Sequence, residues 1–349
     1  MLFSEQNNEY ARLYEMRDAL IESRKEYLPA RFWEVLSDQH ISDLKKSGYQ
    51  NFKNTVALRY FTWVVKRKRF WRDDQIKFLL HNLPLSSLII NAFRAFKASF
   101  KNKFAQLSFS RFLIYNFHVY LLWDFVSKLD SEHILDEIDE PIEGNPPRIY
   151  LKKTIISQDL ANSVLEYISI MSKIDQNNIH SIMELGAGYG RTAYIFLKMI
   201  PHVKYIIVDI PPALYIAERY LSNQFRERKI FKFRKFKDFN EIKKEFEQSD
   251  IAFFLPYQLE LLPQKISDLF INISSFHEMH PHQIELYFQC IDHLISKYVY
   301  IKQWKKAKLA YDNVWISEKD YPIRKNWKRI FWQECKVKTS FFEALYRVY

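Results

Sequence analysis

An α/β fold with a largely parallel, doubly wound sheet, preceded by an all-helical N-terminal domain, is predicted by three observations. Three of only five glycines in 349 residues fall in one short stretch, as Gly186, Gly188 and Gly190. The apolar run Ile182-Met183 before them reads as a strand, and Arg191-Thr-Ala-Tyr-Ile-Phe-Leu-Lys after them reads as a helix. From there on, apolar runs of strand length alternate with amphipathic runs of helix length, whereas residues 1–130 show no strand alternation.

The N-terminal part is helical throughout by its periodicity. Tyr10, Leu13, Met16 and Leu20 recur at helical spacing, and further helices are expected near 30–46, 52–72, 85–102 and 108–129. Pro29 and Pro84 punctuate them. The last is apolar almost all round (Phe112, Leu113, Phe117, Leu121, Leu122, Phe125), as a buried helix would be. An acidic segment from Glu132 to Glu143 follows, and Gly144-Asn-Pro-Pro then interrupts regular structure. The expected division is therefore a helical domain over 1–143 and an α/β domain over 144–349.

In the second part, Ser157 stands as an N-cap before a helix with Gln158 and Asp159 in its first turn. Capping and ligand contact both suit Ser157 and Asp159, since this helix lies just ahead of the first core strand. Tyr205-Ile206-Ile207-Val208 reads as the second strand, and Pro211-Pro212 opens a helix over Ala213–Phe225. Residues 226–249 are basic and aromatic and read as an insertion. Ile251-Ala-Phe-Phe-Leu-Pro is the third strand, Asp268-Leu-Phe-Ile-Asn-Ile-Ser-Ser the fourth, and Tyr298-Val-Tyr-Ile another after an amphipathic helix. The segments Trp327–Val337 and Phe341–Val348 suit a strand pair that closes the sheet.

The glycine stretch carries the chemistry. A strand, a turn without Cβ atoms and a helix N-terminus let a ligand approach bare backbone closely. The second strand ends in Asp209, nineteen residues after Gly190, at the distance where an acid meets ribose hydroxyls in nucleotide-binding α/β units. The pattern is Glu184-Leu-Gly-Ala-Gly-Tyr-Gly, not G-x-G-x-x-G, with an acid at the strand end. A carboxylate beside the loop suits a cationic ligand and repels a pyrophosphate.

This string, with Asp209 beyond it, resembles motifs I and II of the class I S-adenosylmethionine-dependent methyltransferases. Over residues 144–304, nearly half the chain, the sequence also resembles the bacterial sugar O-methyltransferase family associated with surface-polysaccharide synthesis. The strings that carry it are Gly144-Asn-Pro, Ser157-Gln-Asp-Leu with Asn162-Ser163, Glu184–Arg191 and Val208-Asp-Ile-Pro-Pro-Ala-Leu. Phe270-Ile-Asn-Ile-Ser-Ser-Phe-His-Glu-Met and Lys302-Gln-Trp complete the set.

The resemblance implies a Rossmann-like methyltransferase sheet with helices on both faces and S-adenosyl-L-methionine as cofactor. Glu184 and the backbone of Gly186, Ala187, Gly188, Tyr189 and Gly190 would hold its methionine part. Asp209 would take the ribose, Tyr257 and Gln258 would border the adenine, and Ser274 and Ser275 would lie beside the methyl group. His277 is the candidate base, since imidazole accepts a proton near neutral pH, with Glu278 to orient it or replace it. Bracing of the next helix is an equal alternative for both. His277-Glu-Met-His-Pro-His lacks the H-E-x-x-H spacing and is broken by Pro281, so no metal is expected.

Composition bounds the rest. The chain is 48% hydrophobic and 17% aromatic, which excludes a mainly disordered protein. Cys290 and Cys335 give neither a disulfide framework nor metal spacing. The N-terminus lacks the basic-then-apolar pattern of a signal peptide, and the longest uncharged run, Phe78–Phe93, is 16 residues and too polar to span a membrane. A cytoplasmic protein is expected, with peripheral attachment at the inner face of the membrane open to it. Fifty-two basic against 41 acidic residues give a net charge of +11, which suits a phosphorylated substrate, nucleic acid or an anionic lipid surface. Lys66-Arg-Lys-Arg-Phe-Trp-Arg, with Lys97, Lys101 and Lys103, could supply such a basic face or simply a solvated one. No nucleic-acid module is recognisable, so no nucleic-acid partner is expected; a sugar or glycan substrate is what the family resemblance implies. Methylation of RNA or protein, or a non-catalytic cofactor-binding role in glycan assembly, are the other classes this sequence allows.

Overall fold

The computed structural model describes residues 9–58, 67–101 and 107–349, with the side chains of 67–69 and 101 left aside. Part of the helix expected over 52–72, most of the basic run from Lys66, and Lys103 lie outside the described residues. The chain forms two compact units. One takes the chain up to Ile41, then Ile174–Gln333 and Phe341–Tyr349; the other takes Ser42–Lys173 and Glu334–Ser340.

Helix α1 (Ala11–Ile21) and the first part of α2 (Arg31–Ser47) belong to the first of these. The second unit holds α3 (Asp74–Asn82), α4 (Leu85–Lys101), α5 (Phe109–Ser127), α6 (Ile134–Glu137), the antiparallel pair β1 (Ile149–Leu151) and β2 (Thr154–Ile156), and α7 (Gln158–Met171). Helix α5 is buried nearly all round, as its apolar circumference dictates. Ser157 caps α7, its hydroxyl accepting from Leu160 N at 3.0 Å while donating to buried Glu140, which is also paired with Lys53.

In the first unit the chain alternates β3 (Ser181–Leu185), α8 (Arg191–Met199), β4 (Lys204–Val208), α9 (Ala213–Gln224), β5 (Ile230–Phe231), α10 (Lys243–Gln248), β6 (Ile251–Phe254), β7 (Ser267–Ile273), α11 (Pro281–Leu294) and β8 (Ile295–Trp304). The short pair β9 (Lys306–Lys308) and β10 (Trp315–Ser317) lies apart, and β11 (Lys328–Glu334) and β12 (Phe341–Arg347) end the chain. The sheet has eight strands in the order β11-β12-β8-β7-β3-β4-β6-β5. From β8 through to β5 the pairings are parallel, and β12 runs antiparallel to β8. This is the expected α/β fold, with the late strand pair at one edge. Strands β3, β4, β6 and β7 are buried almost end to end, which is why they read as unbroken apolar runs.

The expected limit at 143/144 differs from the observed grouping, and packing explains why. Within the first unit, Tyr27 is buried edge-on to Tyr287 at 6.0 Å. Gln283 Nε2 donates to the Glu26 and Leu28 carbonyls, and Arg12 pairs with Glu218 at 3.1 Å. The first helices have an apolar face that this sheet's own helices cover. No helix among the described residues is long and apolar enough to cross a membrane.

Candidate active site at the carboxyl ends of the central strands

The chain leaves β3 toward β4 on one side and returns through β7 on the other. In open α/β sheets, ligands collect outside the carboxyl ends of strands at such a switch point. Gly186 follows β3 directly, with φ +76° and its N–H donating to Val208 O at 2.8 Å. A Cβ built there would stand 2.4 Å from Ser275 Oγ and 2.6 Å from Ser275 Cβ. The turn therefore holds glycine for two reasons, a left-handed backbone and direct contact with the loop after β7. Gly190 (φ +89°) begins α8, where a Cβ would press on Leu221 at 2.9 Å.

Asp209 directly follows β4 and closes over this turn. Its Oδ2 accepts from Gly188 N at 2.7 Å and its Oδ1 from Ile210 N at 2.7 Å. Burial pushes its carboxyl up to about 7 against the lowering effect of those two N–H groups. An ionised carboxylate has about four acceptor positions, so this one keeps capacity for two hydroxyl donors. Glu184, the one acidic residue of β3, is buried and accepts from Tyr205 Oη at 2.8 Å. Ala187 and Tyr189 are buried within the turn, and Tyr189 lies edge-on to Tyr220 at 5.5 Å.

Tyr257 is half-buried just beyond β6, its hydroxyl made less acidic by burial. Its neighbour Gln258 stands differently from the sequence expectation. The amide is fully buried, with Oε1 accepting from Leu255 N at 2.9 Å and Nε2 donating to Arg234 O at 2.9 Å. One end of that side chain closes the turn and the other ties it to the loop after β5, leaving Tyr257 as the residue of the two with an exposed edge. Ser274 sits at φ +57°, its N–H donating to Lys302 O at 2.7 Å.

The loop after β7 carries the two proton-handling candidates. His277 is buried, with Nδ1 3.0 Å from Gln303 Oε1 and Nε2 3.5 Å from Glu278 Oε1. A chain of amides fixes which nitrogen holds the proton. Asn272 Nδ2 donates to Leu185 O at 2.8 Å, which turns its Oδ1 toward Gln303 Nε2 at 2.5 Å. Gln303 must then present Oε1 to His277, so Nδ1 donates and Nε2 is left as the acceptor. Trp304 and Phe341 stand edge-on to the imidazole, both at 6.2 Å. Glu278 accepts from Trp33 Nε1 at 2.8 Å, and burial pushes its carboxyl up to about 8, so it holds its proton in neutral water. Tyr321 Oη is buried and has no hydrogen-bond partner among the described residues.

Asn272, Gln303 and Trp33 were not singled out from the sequence. A signal existed for the first: Asn272 interrupts the apolar run of β7 with a fully buried amide. Gln303 lay inside a string noted for its resemblance, with no role attached. Trp33 gave none, being one of two adjacent aromatics at the start of α2.

No family model and no curated protein matches the chain. Among solved structures it is similar to a SAM-dependent methyltransferase from Aquifex aeolicus, at 12% identity and TM-score 0.30, over 54% of this chain and 98% of the other. It is also similar to magnesium protoporphyrin IX methyltransferase from Synechocystis PCC 6803 with bound SAH, at 9% identity and TM-score 0.38, over 55% and 86% of the two chains. A protein from Pyrococcus horikoshii OT3, PH0226, matches at 12% identity and TM-score 0.36, over 53% and 92%.

Proposed function

We propose that this protein is an S-adenosylmethionine-dependent O-methyltransferase acting on a sugar hydroxyl in surface-polysaccharide synthesis. The observation that carries the cofactor is the Asp209 carboxylate tied to Gly188 N at 2.7 Å across a glycine turn at the switch point. The residues present fit the group. Gly186 leaves bare backbone, Glu184 supplies negative charge for a cationic ligand, and Asp209 offers acceptors to a ribose. Tyr257 would border the adenine, and Ser274 and Ser275 would face the transferred group.

The bound cofactor would supply a methyl group activated on a sulfonium. The protein's share is alignment and proton removal. His277 Nε2, turned into an acceptor by Gln303, would take the hydroxyl proton as the acceptor oxygen attacks. Glu278, fixed by Trp33 and with its other oxygen 3.5 Å from the same nitrogen, would yield that place to the substrate hydroxyl. The sugar rests on the sequence strings described above, and with it the surface-polysaccharide role.

Calorimetry and a labelling assay test both levels. The full chain should bind S-adenosylmethionine and S-adenosylhomocysteine, and Asp209→Ala should weaken both by about 1–3 kcal/mol through lost charge-assisted bonds. Label from the methyl group should enter a sugar or lipid-linked sugar fraction. Absence of binding, or preference for NAD, would refute the methyltransferase reading. Label in RNA or protein would refute the sugar alone, and binding without transfer to any fraction would favour a non-catalytic role.

A further inference from the structure

Helix α4 turns its large apolar side chains away from the protein. On an α-helix, Leu85, Ile89, Phe93, Phe96 and Phe100 fall within about 80° of arc. All five are exposed, Leu85 at 71%, Phe93 at 68% and Phe100 at 63%, and Ile90 stands exposed beside them. Phe96 meets Phe100 edge-on at 4.7 Å, and Phe100 meets Phe109 at 5.0 Å, so the apolar face continues past the helix end. The covered side is the small and polar one. Asn91, Ala95 and Ser99 are buried, with Ser99 Oγ accepting from Asn116 Nδ2 of α5 at 2.7 Å and Asn91 donating to Asp124 at 3.3 Å. A helix that packed by hydrophobicity would be turned the other way. Six large apolar residues on one exposed face make a patch that marks an interaction site.

Charge selects the occupant. Arg94 and Lys97 are exposed along one edge of this face, and α4 contains no acidic residue. An antiparallel second copy would set these cations against their own kind, and a parallel one would offer them no carboxylate from α4. An apolar stripe flanked by bases is instead the pattern of a helix lying in the plane of a lipid surface, apolar side among the acyl chains and cations among anionic headgroups. We infer that α4 is an in-plane anchor that attaches this protein to anionic membrane surfaces. Such an anchor would hold the chain where a lipid-linked acceptor is found, although the inference itself does not depend on the acceptor.

Vesicle co-sedimentation of the full chain tests it, with phosphatidylcholine vesicles against mixed phosphatidylcholine–phosphatidylglycerol vesicles. The protein should pellet with the mixed vesicles, more weakly with the neutral ones, and less as salt rises. Replacing Phe93 and Phe96 together by Ser should weaken binding by about tenfold or more, from the apolar area withdrawn from water. The melting temperature should hold, because both rings are already exposed. Arg94→Gln with Lys97→Gln should remove the preference for anionic lipid and leave the fold intact. No pelleting of the wild type, or undiminished pelleting of the Phe93→Ser, Phe96→Ser variant, would overturn the proposal. So would a lipid-free dimer by light scattering that this variant converts to monomer, since the occupant would then be a second copy.

Discussion

His277 shows how a residue's chemistry depends on groups distant in sequence. Its Nδ1 proton is assigned by Gln303, whose amide is oriented by Asn272, whose own amide is oriented by the Leu185 carbonyl next to the glycine turn. If Nε2 accepts the substrate proton, His277→Ala should lower kcat by about 10²–10⁴-fold and leave cofactor affinity nearly unchanged. The wild-type rate should rise with pH as the imidazole loses its proton, and the variant should lack that limb. Gln303→Ala gives the sharper test, because it leaves the imidazole in place and removes only what orients it. We expect a lower kcat with an altered pH profile and little change in cofactor affinity. A folded His277→Ala enzyme turning over at the wild-type rate would reduce the residue to a brace.

At the scale of the element, the strand-turn-helix unit from β3 to α8 depends on its contact with the loop after β7. Gly186→Ala meets two obstacles: φ +76°, and a Cβ 2.4 Å from Ser275 Oγ. A loss of roughly 1–3 kcal/mol in denaturant-measured stability is expected, with cofactor binding impaired as well. Combining it with Ser275→Gly separates the two causes. The steric part should be recovered and the backbone part should remain, so the double variant should be more stable than the two single effects added together. Strict additivity would mean that the two residues do not meet. Gln258 makes the converse point: its position past a core strand suggests ligand contact, yet its amide is engaged by Leu255 N within the turn and by the Arg234 carbonyl after β5.

For the whole molecule, the carboxyls of Glu278 and Asp209, raised by burial, favour acid, and buried His118, lowered to about 4, offsets part of this below about pH 6.5. Glu278 titrates near 4.5 when solvated and is held up to about 8 in the folded protein, and Asp209 is held up to about 7. Between the solvated and the folded values, the folded state keeps protons that the unfolded state has released. Stability is therefore full below about pH 4 on account of these groups and falls as pH rises toward 8. Thermal melts across that range should show the decline. Glu278→Gln should flatten it, since an amide keeps an acceptor for the Trp33 indole and carries no charge at any pH. A variant whose melting curve parallels the wild type would show that Glu278 is solvated. Ligand binding to Asp209 has the opposite sign: cofactor affinity should strengthen as pH rises through about 7 and the carboxylate becomes available.

The features legible from the sequence are those enforced by near neighbours. Glycines at Gly186, Gly188 and Gly190 answer to a backbone that turns left-handed within five residues, and the apolar runs of β3, β4, β6 and β7 answer to burial on both faces of a sheet. Asp209 was found because strand length and helix length fix its distance from the turn. Tertiary structure alone decided the rest. Asn272, Gln303 and His277 meet because β7 and β8 lie side by side, a pairing no local pattern encodes. Residues up to Ile41 group with the sheet because Tyr27 and Trp33 find partners on residues some 250 positions away. The periodicity of α4 announces an apolar face, but only packing reveals that the neighbouring helix takes Asn91, Ala95 and Ser99 and leaves the phenylalanines outside. Hydrophobic spacing says which residues share a side; which side is covered depends on what else folds against it.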